Sequence, residues 1–317
     1  MNGLDQDSKP HFRSVLIYGM GMMGASLGWA LRSRLSSCTV TGIVRTEKSA
    51  AFIRNNGLAD RVLVLPDLSD CAALDLDSHD LVVLGLPVRS IVELIPVLPA
   101  TDTLITDMSS TRREVHRSAT ERPDLRFVGA HPMCGSEDTG PAAFVKDLYV
   151  DRLCILTPGY LSEVRHANQK KHREDARLVE QFWRAMGMKI YYLDPDSHDE
   201  LLAYLSHAPH VVSSILALWA LSNRTVDNSI RESPMPITGG GFKDMARIAG
   251  SNPEMWTDIL LSNQDNLIAS LEHFVREMRD IIECLKNNEK NDRQDWFEWF
   301  ARARRARNRL CWYSEDR

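Results

Sequence analysis

Apolar residues recur along the first two thirds of this 317-residue chain in short runs that alternate with amphipathic stretches. The eight runs read SVLIYG, CTVTGIV, LADRVLV, DLVVLGLP, DTLITDM, RFVGAH, LCILTP and KIYYLD. Short β-rich runs that alternate with helices are typical of a parallel sheet covered by helices on both faces. The pattern therefore predicts an α/β fold whose N-terminal part is a Rossmann-like, doubly wound parallel sheet.

The periodicity changes near Asp194, after which the apolar spacing is helical almost to the end of the chain. Ser197 followed three residues later by Glu200 has the form of a capping box, which marks a helix start. Pro209 is expected to kink or locally open the helix that contains it. We therefore predict a disordered tail at 1–13, a Rossmann-like domain at 14–193 and an all-α domain at 194–317.

Composition narrows the class of protein. The formal net charge of −5 disfavours a general affinity for nucleic acid. Six scattered cysteines without a C-x-x-C pair fit reduced thiols better than disulfides or a metal site, and we expect no bound metal. The polar first dozen residues lack the apolar core of a signal peptide, and no apolar run approaches membrane-spanning length. We expect a cytoplasmic protein with no membrane partner.

A glycine turn, Gly19-Met20-Gly21-Met22-Met23-Gly24, follows the first predicted strand and opens a helix. In this context G-x-G-x-x-G is the fingerprint of dinucleotide binding. The first glycine allows the tight turn, the second admits a pyrophosphate, and the third lets the helix pack on the strand. A glycine turn with no ligand is the alternative. The predicted cofactor contacts in the turn are Gly19, Gly21, Met22, Met23 and Gly24.

The end of the second strand bears on which dinucleotide binds. An NAD site usually has an acidic residue there for the ribose 2′-hydroxyl, whereas a 2′-phosphate requires a cation. Here Arg45 and Thr46 follow the strand, and no acid stands at that position. Arg45 could bind a phosphate, stack on adenine or be solvated; we favour NADP over NAD. Further cofactor contacts are predicted at Leu86, Pro87 and Ser109.

The segment GAHPMCGSEDTGP places His131 directly after the predicted strand RFVGA. Open α/β sheets bind ligands at the carboxyl ends of their strands, and Pro132 disfavours helical geometry at His131. Ser110 lies past the end of the preceding strand and can orient a ring nitrogen, while Ser136 and Glu137 follow in the same loop. A structural histidine is the alternative. With an ordinary pKa near neutrality, His131 beside a nicotinamide is a suitable general base.

Two polar clusters in the helical part supply further candidates. SHAPH lies within an apolar helical stretch, and GGGFKDMAR begins with three glycines, whose entropy cost suggests backbone close to a ligand. Asn252 and Pro253 predict the cap and first position of another helix. The candidate substrate-site residues are Ser206, His207, His210, Gly240, Lys243, Arg247 and Trp256, together with Ser136 and Glu137.

These motifs resemble a known family. GMGMMGASLG, TDMSST, GAHPMCGSEDTGP, LCILTP, LSHAPH, GGGFKDMARIAGSNPEMW and LSNQDN together resemble the prephenate and arogenate dehydrogenases. The resemblance extends from Ser14 to about Leu285. It implies a two-domain enzyme of tyrosine biosynthesis that forms a homodimer through its helical domain. The implied reaction is oxidative decarboxylation of prephenate or arogenate with hydride transfer to NAD(P)⁺.

The resemblance also implies roles for individual residues. His131 matches the family's catalytic histidine, Ser110 the serine that polarises it, and Arg247 the arginine that holds a substrate carboxylate. Ser206, His207, His210, Glu137, Lys243 and Trp256 match positions that line the substrate pocket. Prephenate carries a keto group where arogenate carries an ammonium group. Because His207 and His210 are hydrogen-bond donors we favour prephenate, although Glu137 is an acid.

Two other functions compete with this interpretation. A β-hydroxyacid or imine-type dehydrogenase would share the two-domain plan, but it would require a catalytic lysine or serine on the second-domain helix and does not explain HPMCGSE. A non-catalytic protein that senses NADP would bind the cofactor without turnover. That function requires no proton acceptor beside a carboxylate-binding arginine.

Overall fold

The structure, a computed structural model, describes residues 12–135, 138–159, 169–286 and 293–311. Each of the eight predicted runs forms a strand of one sheet, in the order β3-β2-β1-β4-β5-β6-β7-β8. The strands are β1 Ser14–Tyr18, β2 Thr39–Val44, β3 Arg61–Val64, β4 Leu81–Leu84, β5 Leu104–Asp107, β6 Arg126–Pro132, β7 Leu153–Thr157 and β8 Lys189–Tyr192. The order β3-β2-β1-β4-β5-β6 is that of the Rossmann fold, so the predicted fold class is confirmed.

One strand pair departs from the predicted parallel sheet. β6 and β7 are antiparallel, whereas every other neighbouring pair is parallel. A parallel return needs a crossover that is usually a helix. The described part of the β6–β7 connection has only a 3₁₀ turn at Pro141–Ala143, and the chain reverses direction instead.

Helices cover the sheet, and every regular element described after β8 is helical. They are α1 Met22–Arg34, α2 Glu47–Asn55, α3 Val88–Leu94, α4 Arg113–Thr120, α5 Gln169–Ala185, α6 Pro195–Leu202, α7 Ala208–Ser222, α8 Arg224–Glu232, α9 Gly240–Ala246, α10 Pro253–Ser262, α11 Gln264–Lys286 and α12 Arg293–Cys311. The chain divides into two compact units between Leu267 and Ile268. The sheet and α1–α10 belong to the first unit, and the predicted domain boundary at 193 stays a prediction.

The core of the first unit lies on both faces of the sheet. Alternate residues of β1 enter opposite layers, with Val15 and Ile17 in one and Leu16 and Tyr18 in the other. Such two-sided burial is typical of a central parallel strand. Phe12, which the sequence assigned to the tail, is also buried and packs edge-on against Phe182.

The start of the helical region differs from its prediction. Asp194, not Ser197, caps α6, because its carboxylate accepts a hydrogen bond of 2.9 Å from the Ser197 N–H. Pro195 occupies the first helical position, where an N–H would have no acceptor within the helix, so its absence costs no hydrogen bond. Before Pro209 the helix opens into a π turn at Ala203–His207, which confirms the predicted local opening. The predicted cap at Asn252 and the predicted first helical position at Pro253 are also confirmed.

The expectation that no apolar segment approaches membrane-spanning length is wrong. Among the described residues, the helical stretch Pro195–Ser222 is long and apolar enough to cross a bilayer by length and composition. Only 28% of its most apolar window is buried. Exposed apolar side chains lie on α7, including Ile215, Leu218 and Trp219.

Candidate active site

The strand order gathers the predicted cofactor residues at one edge of the sheet. Gly19 follows β1, Arg45 follows β2, Leu86 follows β4 and Ser109 follows β5, while His131 lies near the end of β6. These strands are parallel, so all five positions are at their carboxyl ends. Doubly wound sheets bind their ligands at this edge, at the point where the strand order reverses, here between β1 and β4.

The glycine turn has the conformation that a dinucleotide fingerprint requires. Gly19 has a φ of +100°, and a Cβ built on it would lie 2.6 Å from the Gly85 carbonyl oxygen. A Cβ on Gly24 would collide with the Gly19 carbonyl. A Cβ on Gly21 would meet no atom within 4 Å, so the backbone there faces open space.

The start of α1 fits an anionic ligand. Gly21 precedes the helix without a side-chain cap, and the first turn contains no acidic residue. Met22 is buried and Met23 half-buried in that turn. The first N–H groups of a helix have no intrahelical acceptor and carry the positive end of its dipole. These residues therefore fit the pyrophosphate of a dinucleotide.

The residues predicted to contact the rest of the cofactor are partly exposed. Arg45 is exposed at the end of β2, and Thr46 caps α2 by accepting a hydrogen bond of 3.2 Å from the Ser49 N–H. Leu86 is half-buried, and Pro87 is exposed immediately before α3. The guanidinium of Arg45 is thus placed where an NAD site usually carries an acid.

A buried ion pair supports the strand ends beside His131. The Arg112 guanidinium donates to both carboxylate oxygens of Asp107, at 2.9 and 2.7 Å, and both side chains are fully buried. Arg112 also donates to the Ala130 carbonyl at 2.9 Å, and the Ala130 N–H donates to Asp107 at 3.0 Å. Ser109 is buried in the same network and donates to Asp107 at 2.5 Å. The pair therefore fixes the backbone on which His131 stands.

The His131 ring is buried, with 9% of the residue exposed, and contacts α6. Its Nδ1 lies 2.9 Å from His198 Nε2, and His198 Nδ1 lies 2.8 Å from Asp199 Oδ1. The Asp199 carboxylate accepts the backbone N–H groups of Arg112 and Arg113 at 2.8 and 2.9 Å. A carboxylate is favourable there because it faces the positive N-terminal end of α4.

Burial decides the protonation of this cluster. It lowers the pKa of His131 well below the ordinary value of 6.5. It lowers the pKa of His198 to about 2, and it raises the pKa of the Asp199 carboxyl group. A charged imidazole loses hydration on burial, so both rings are neutral near pH 7. A neutral His131 can accept a proton, as a general base must.

Ser110 is half-buried at the carboxyl end of β5. Among the described hydrogen bonds, however, the partner of His131 Nδ1 is His198 and not Ser110. His198 reaches Nδ1 because it lies on the buried face of α6. A polarising role for Ser110 stays a prediction, and Nε2 is the ring nitrogen left for it.

Several substrate-site candidates form a second cluster around Trp256. Its ring meets His207 edge-on, with centroids 6.1 Å apart, and stacks on His210 with centroids 3.4 Å apart. Asn263 joins this cluster to the first, because its amide nitrogen lies 3.0 Å from His207 Nδ1 and donates to the Asp199 carbonyl at 2.7 Å. His131 and Trp256 are thus linked through neighbouring side chains and the main-chain carbonyl of Asp199.

The remaining candidates lie at the margin of this cluster. The Ser206 carbonyl accepts from His210 Nδ1 at 3.0 Å. Gly240 and Lys243 are exposed on α9, and Arg247 is exposed where α9 ends. Burial lowers the pKa of His210, and the nearby Arg247 charge lowers it further. No described contact joins Arg247 directly to His131. Ser136 and Glu137 lie outside the described residues.

The sequence analysis missed the polar residues that hold His131, namely Asp107, Arg112, His198, Asp199 and Asn263. For two of them the sequence contains a signal. Pro195, His198, Asp199 and Leu202 are all buried, and their spacing is that of one helix face. Two polar residues at positions of a buried stripe require hydrogen-bond partners, and their presence there was a clue to a polar site.

Comparison with known proteins agrees with this geometry. Residues 27–192 match the family model described as the prephenate dehydrogenase nucleotide-binding domain, and residues 194–302 match the prephenate dehydrogenase dimerization domain. The chain belongs to the prephenate dehydrogenase family. It is therefore an oxidoreductase, and the resemblance inferred from its motifs is confirmed.

Individual members of the prephenate dehydrogenase family are similar at moderate identity. Prephenate dehydrogenase of Bacillus subtilis is 27% identical over 84% of this chain and 69% of its own length. Cyclohexadienyl dehydrogenase of Zymomonas mobilis is 28% identical over 85% of this chain and 87% of its own. The crystal structure of Aquifex aeolicus prephenate dehydrogenase with hydroxyphenyl propionate and NAD⁺ has a TM-score of 0.78 and 27% identity, and covers 94% of this chain and 98% of that one.

Proposed function

We propose that this protein oxidises and decarboxylates prephenate to 4-hydroxyphenylpyruvate in tyrosine biosynthesis. The observation that carries the proposal is the placement of a neutral, buried His131 at the same sheet edge as the glycine turn. Membership of the prephenate dehydrogenase family supports the same reaction. When bound, the nicotinamide supplies the hydride acceptor.

The chain's own residues supply the base and the orientation. His131 takes the proton of the ring hydroxyl. General-base catalysis of this kind raises the rate of a reaction by about 10²–10⁴-fold. Loss of carbon dioxide then makes the ring aromatic. Ser110, at the end of β5, is proposed to polarise the reaction from the Nε2 side of His131 by hydrogen-bonding the same hydroxyl. Because aromatisation drives the reaction, the protein needs only to position the reactants and to transfer the proton.

Arg247 is proposed to hold a substrate carboxylate through two parallel hydrogen bonds. A guanidinium matches the planar carboxylate better than the ammonium of lysine does. The Arg247 charge lowers the pKa of His210, a member of the Trp256 cluster, which supports this proposal. The remaining pocket residues are proposed to be Ser206, His207, His210, Gly240, Lys243, Trp256 and, outside the described residues, Ser136 and Glu137.

Prephenate is favoured over arogenate by the groups in the described cluster. The arogenate ammonium group requires an acceptor, preferably an acid, whereas the keto oxygen of prephenate requires a donor. His207 and His210 are the titratable side chains around Trp256, and burial lowers the pKa of each, that of His207 to about 4. His207 Nδ1 accepts from the Asn263 amide, so a neutral His207 carries its hydrogen on Nε2 and can donate it to a keto oxygen. Neither histidine offers a negative charge to an ammonium.

NADP is the proposed cofactor, and NAD the alternative. Arg45 is exposed after β2, at the position where an acid would bind the ribose 2′-hydroxyl. The structural relative from Aquifex aeolicus contains NAD⁺. If Arg45 binds the 2′-phosphate, Arg45→Asp should lower kcat/KM for NADP by about 10–100-fold, as expected for one charge-assisted contact, while kcat/KM for NAD changes little.

A homodimer in the cytoplasm is the proposed working form. Residues 194–302 match a dimerization domain, and α7 within them exposes 71% of Leu218 and 68% of Trp219. Contiguous exposed apolar residues of this kind mark protein contacts. All six cysteines are free, which fits a reducing compartment. Sedimentation analysis should show one dimeric species.

Turnover assays with both substrates and both cofactors test the function. Prephenate and arogenate are each combined with NAD⁺ and NADP⁺, and reduced nicotinamide is followed by its absorbance. We expect the largest kcat/KM for prephenate with NADP⁺. Larger values with arogenate or NAD⁺ would reverse the respective preference. Cofactor binding without turnover of either substrate would contradict the proposal and favour a sensor or another dehydrogenase.

A further inference from the structure

Two side chains beside His131 have no part in the mechanism above. His198 and Asp199 lie on α6, are fully buried, and continue the line of hydrogen bonds that begins at His131 Nδ1. A polar pair buried this deeply is expensive unless every group is satisfied. The contacts of the pair fix the position of each hydrogen.

Asp199 is the fixed end of the line. Its Oδ1 receives the Arg112 N–H and its Oδ2 receives the Arg113 N–H, at 2.8 and 2.9 Å. Backbone N–H groups can only donate, so both oxygens act as acceptors, and the Arg113 guanidinium 3.7 Å from Oδ2 favours the ionised carboxylate. The ring nitrogen that lies 2.8 Å from Oδ1, His198 Nδ1, must therefore be the donor.

The assignment extends from His198 to His131. A neutral imidazole with a hydrogen on Nδ1 has a lone pair on Nε2. His198 Nε2 therefore accepts, and His131 Nδ1, at 2.9 Å, donates to it. A neutral His131 with a hydrogen on Nδ1 has its own lone pair on Nε2, the nitrogen that this line of contacts leaves available.

We propose that His198 and Asp199 are positioning residues that hold His131 in the tautomer whose Nε2 accepts the substrate proton. In the step, the substrate O–H bond breaks, an Nε2–H bond forms on His131, and the Nδ1–H stays in place. The positive imidazolium is then stabilised by the His198 lone pair and, through His198, by the Asp199 carboxylate. The inference rests on the function proposed above.

Nuclear magnetic resonance of the ligand-free protein tests the tautomer without any turnover. The protein is labelled with ¹⁵N-histidine, and the His131 ring signals are assigned with His131→Gln. We expect a protonated Nδ1 and an unprotonated Nε2 in the wild type, and loss of that preference in His198→Phe. A wild-type ring protonated at Nε2, or the same tautomer in His198→Phe, would overturn the inference.

Kinetics separate positioning from mere packing. His198→Phe removes the acceptor, and we expect kcat to fall by about 10²–10⁴-fold with KM changed by less than about threefold. In His198→Gln the side-chain carbonyl can accept the Nδ1–H, so kcat should be at least about tenfold higher than in His198→Phe. His116→Gln is the matched control, because His116 is also buried but bonds Thr157. Equal losses in all three variants would indicate a structural role only.

The pH dependence gives a second readout. The groups that face His131 are His198 and Asp199 from α6, His207 from the π turn, and Asp107 and Arg112 from the end of β5 and the loop after it. In His198→Phe the imidazolium loses its acceptor, so the acid limb of kcat/KM should move to lower pH. An unmoved limb would count against the inference. Absence of wild-type turnover would contradict only the proposed function, and the tautomer measurement would then decide the inference alone.

Discussion

Replacing Arg112 by methionine should destabilise the protein strongly. The substitution removes the guanidinium that donates to both oxygens of the fully buried Asp107. Asp107 keeps the N–H groups of Ala130 and Ser109 and the Ser109 hydroxyl as donors. It loses the buried cation with which it pairs, and an uncompensated buried charge costs about 3–5 kcal/mol.

The free energy of unfolding, measured by urea denaturation of the cofactor-free protein, should therefore fall by about 3–5 kcal/mol in Arg112→Met. The exposed pair Arg231–Asp227, at 2.8 Å, provides a control of the same chemistry. Arg231→Met should change the free energy of unfolding by less than about 1 kcal/mol, because water screens an exposed pair.

A second variant separates the unpaired charge from lost packing. Asp107→Asn combined with Arg112→Met removes both charges, so the double variant should regain about 1–3 kcal/mol relative to Arg112→Met alone. A loss of less than about 1 kcal/mol in the free energy of unfolding of Arg112→Met would contradict this expectation. So would a double variant whose loss equals the sum of the losses measured for Arg112→Met and for Asp107→Asn alone.

Four further outcomes are expected. His131→Asn should lower kcat by about 10²–10⁴-fold with substrate binding nearly intact, and steady-state rates that stay within a few-fold would remove His131 from the base role. Arg247→Ala should raise the apparent KM for the substrate by about 10–100-fold, which an unchanged KM would refute. Gly24→Ala should weaken cofactor binding and lower the melting temperature, because the added Cβ collides with the Gly19 carbonyl; calorimetry with and without NADP measures both. Because the pKa of His198 is about 2 when folded and 6.5 ordinarily, the unfolded state binds more protons between these values. The free energy of unfolding should therefore fall as the pH drops from about 7 to about 4, by up to about 1.4 kcal/mol per unit from this residue, and His198→Gln should show a shallower fall in denaturation series.

Local patterns predicted the parts of the fold that depend on neighbours in sequence. Each of the eight apolar runs became a strand because a buried strand needs only a short β-rich stretch between turns. The glycine turn was recognisable because the φ of Gly19 and the close approach at Gly24 restrict both positions to glycine. The direction of β7 was not predictable in the same way. It depends on whether the chain after Pro132 crosses back over the sheet before β7 begins or reverses directly beside β6, as it does here.

The sequence predicts a site at His131 and Trp256, but it did not lead to the polar residues that contact His131. His131 directly precedes a proline, and Trp256 lies in the first turn of a helix that begins at Pro253, so both stand in recognisable sequence contexts. Asp107 ends the apolar strand β5 and Arg112 follows in the polar loop after it. Only the folded chain places them against the Ala130 backbone beside His131. Partners that meet through tertiary contacts leave little periodic signal in a single sequence.

The error at the start of α6 and the oversight of His198 have the same cause. Assigning the cap to Ser197 treats His198 and Asp199 as first-turn residues that water can solvate. The true cap, Asp194, starts the helix at Pro195. At about 100° per residue, Pro195, His198, Asp199 and Leu202 then lie on one face, and that face is buried. A capping interaction at one end of a helix thus decides whether the two polar side chains reach His131 or the solvent.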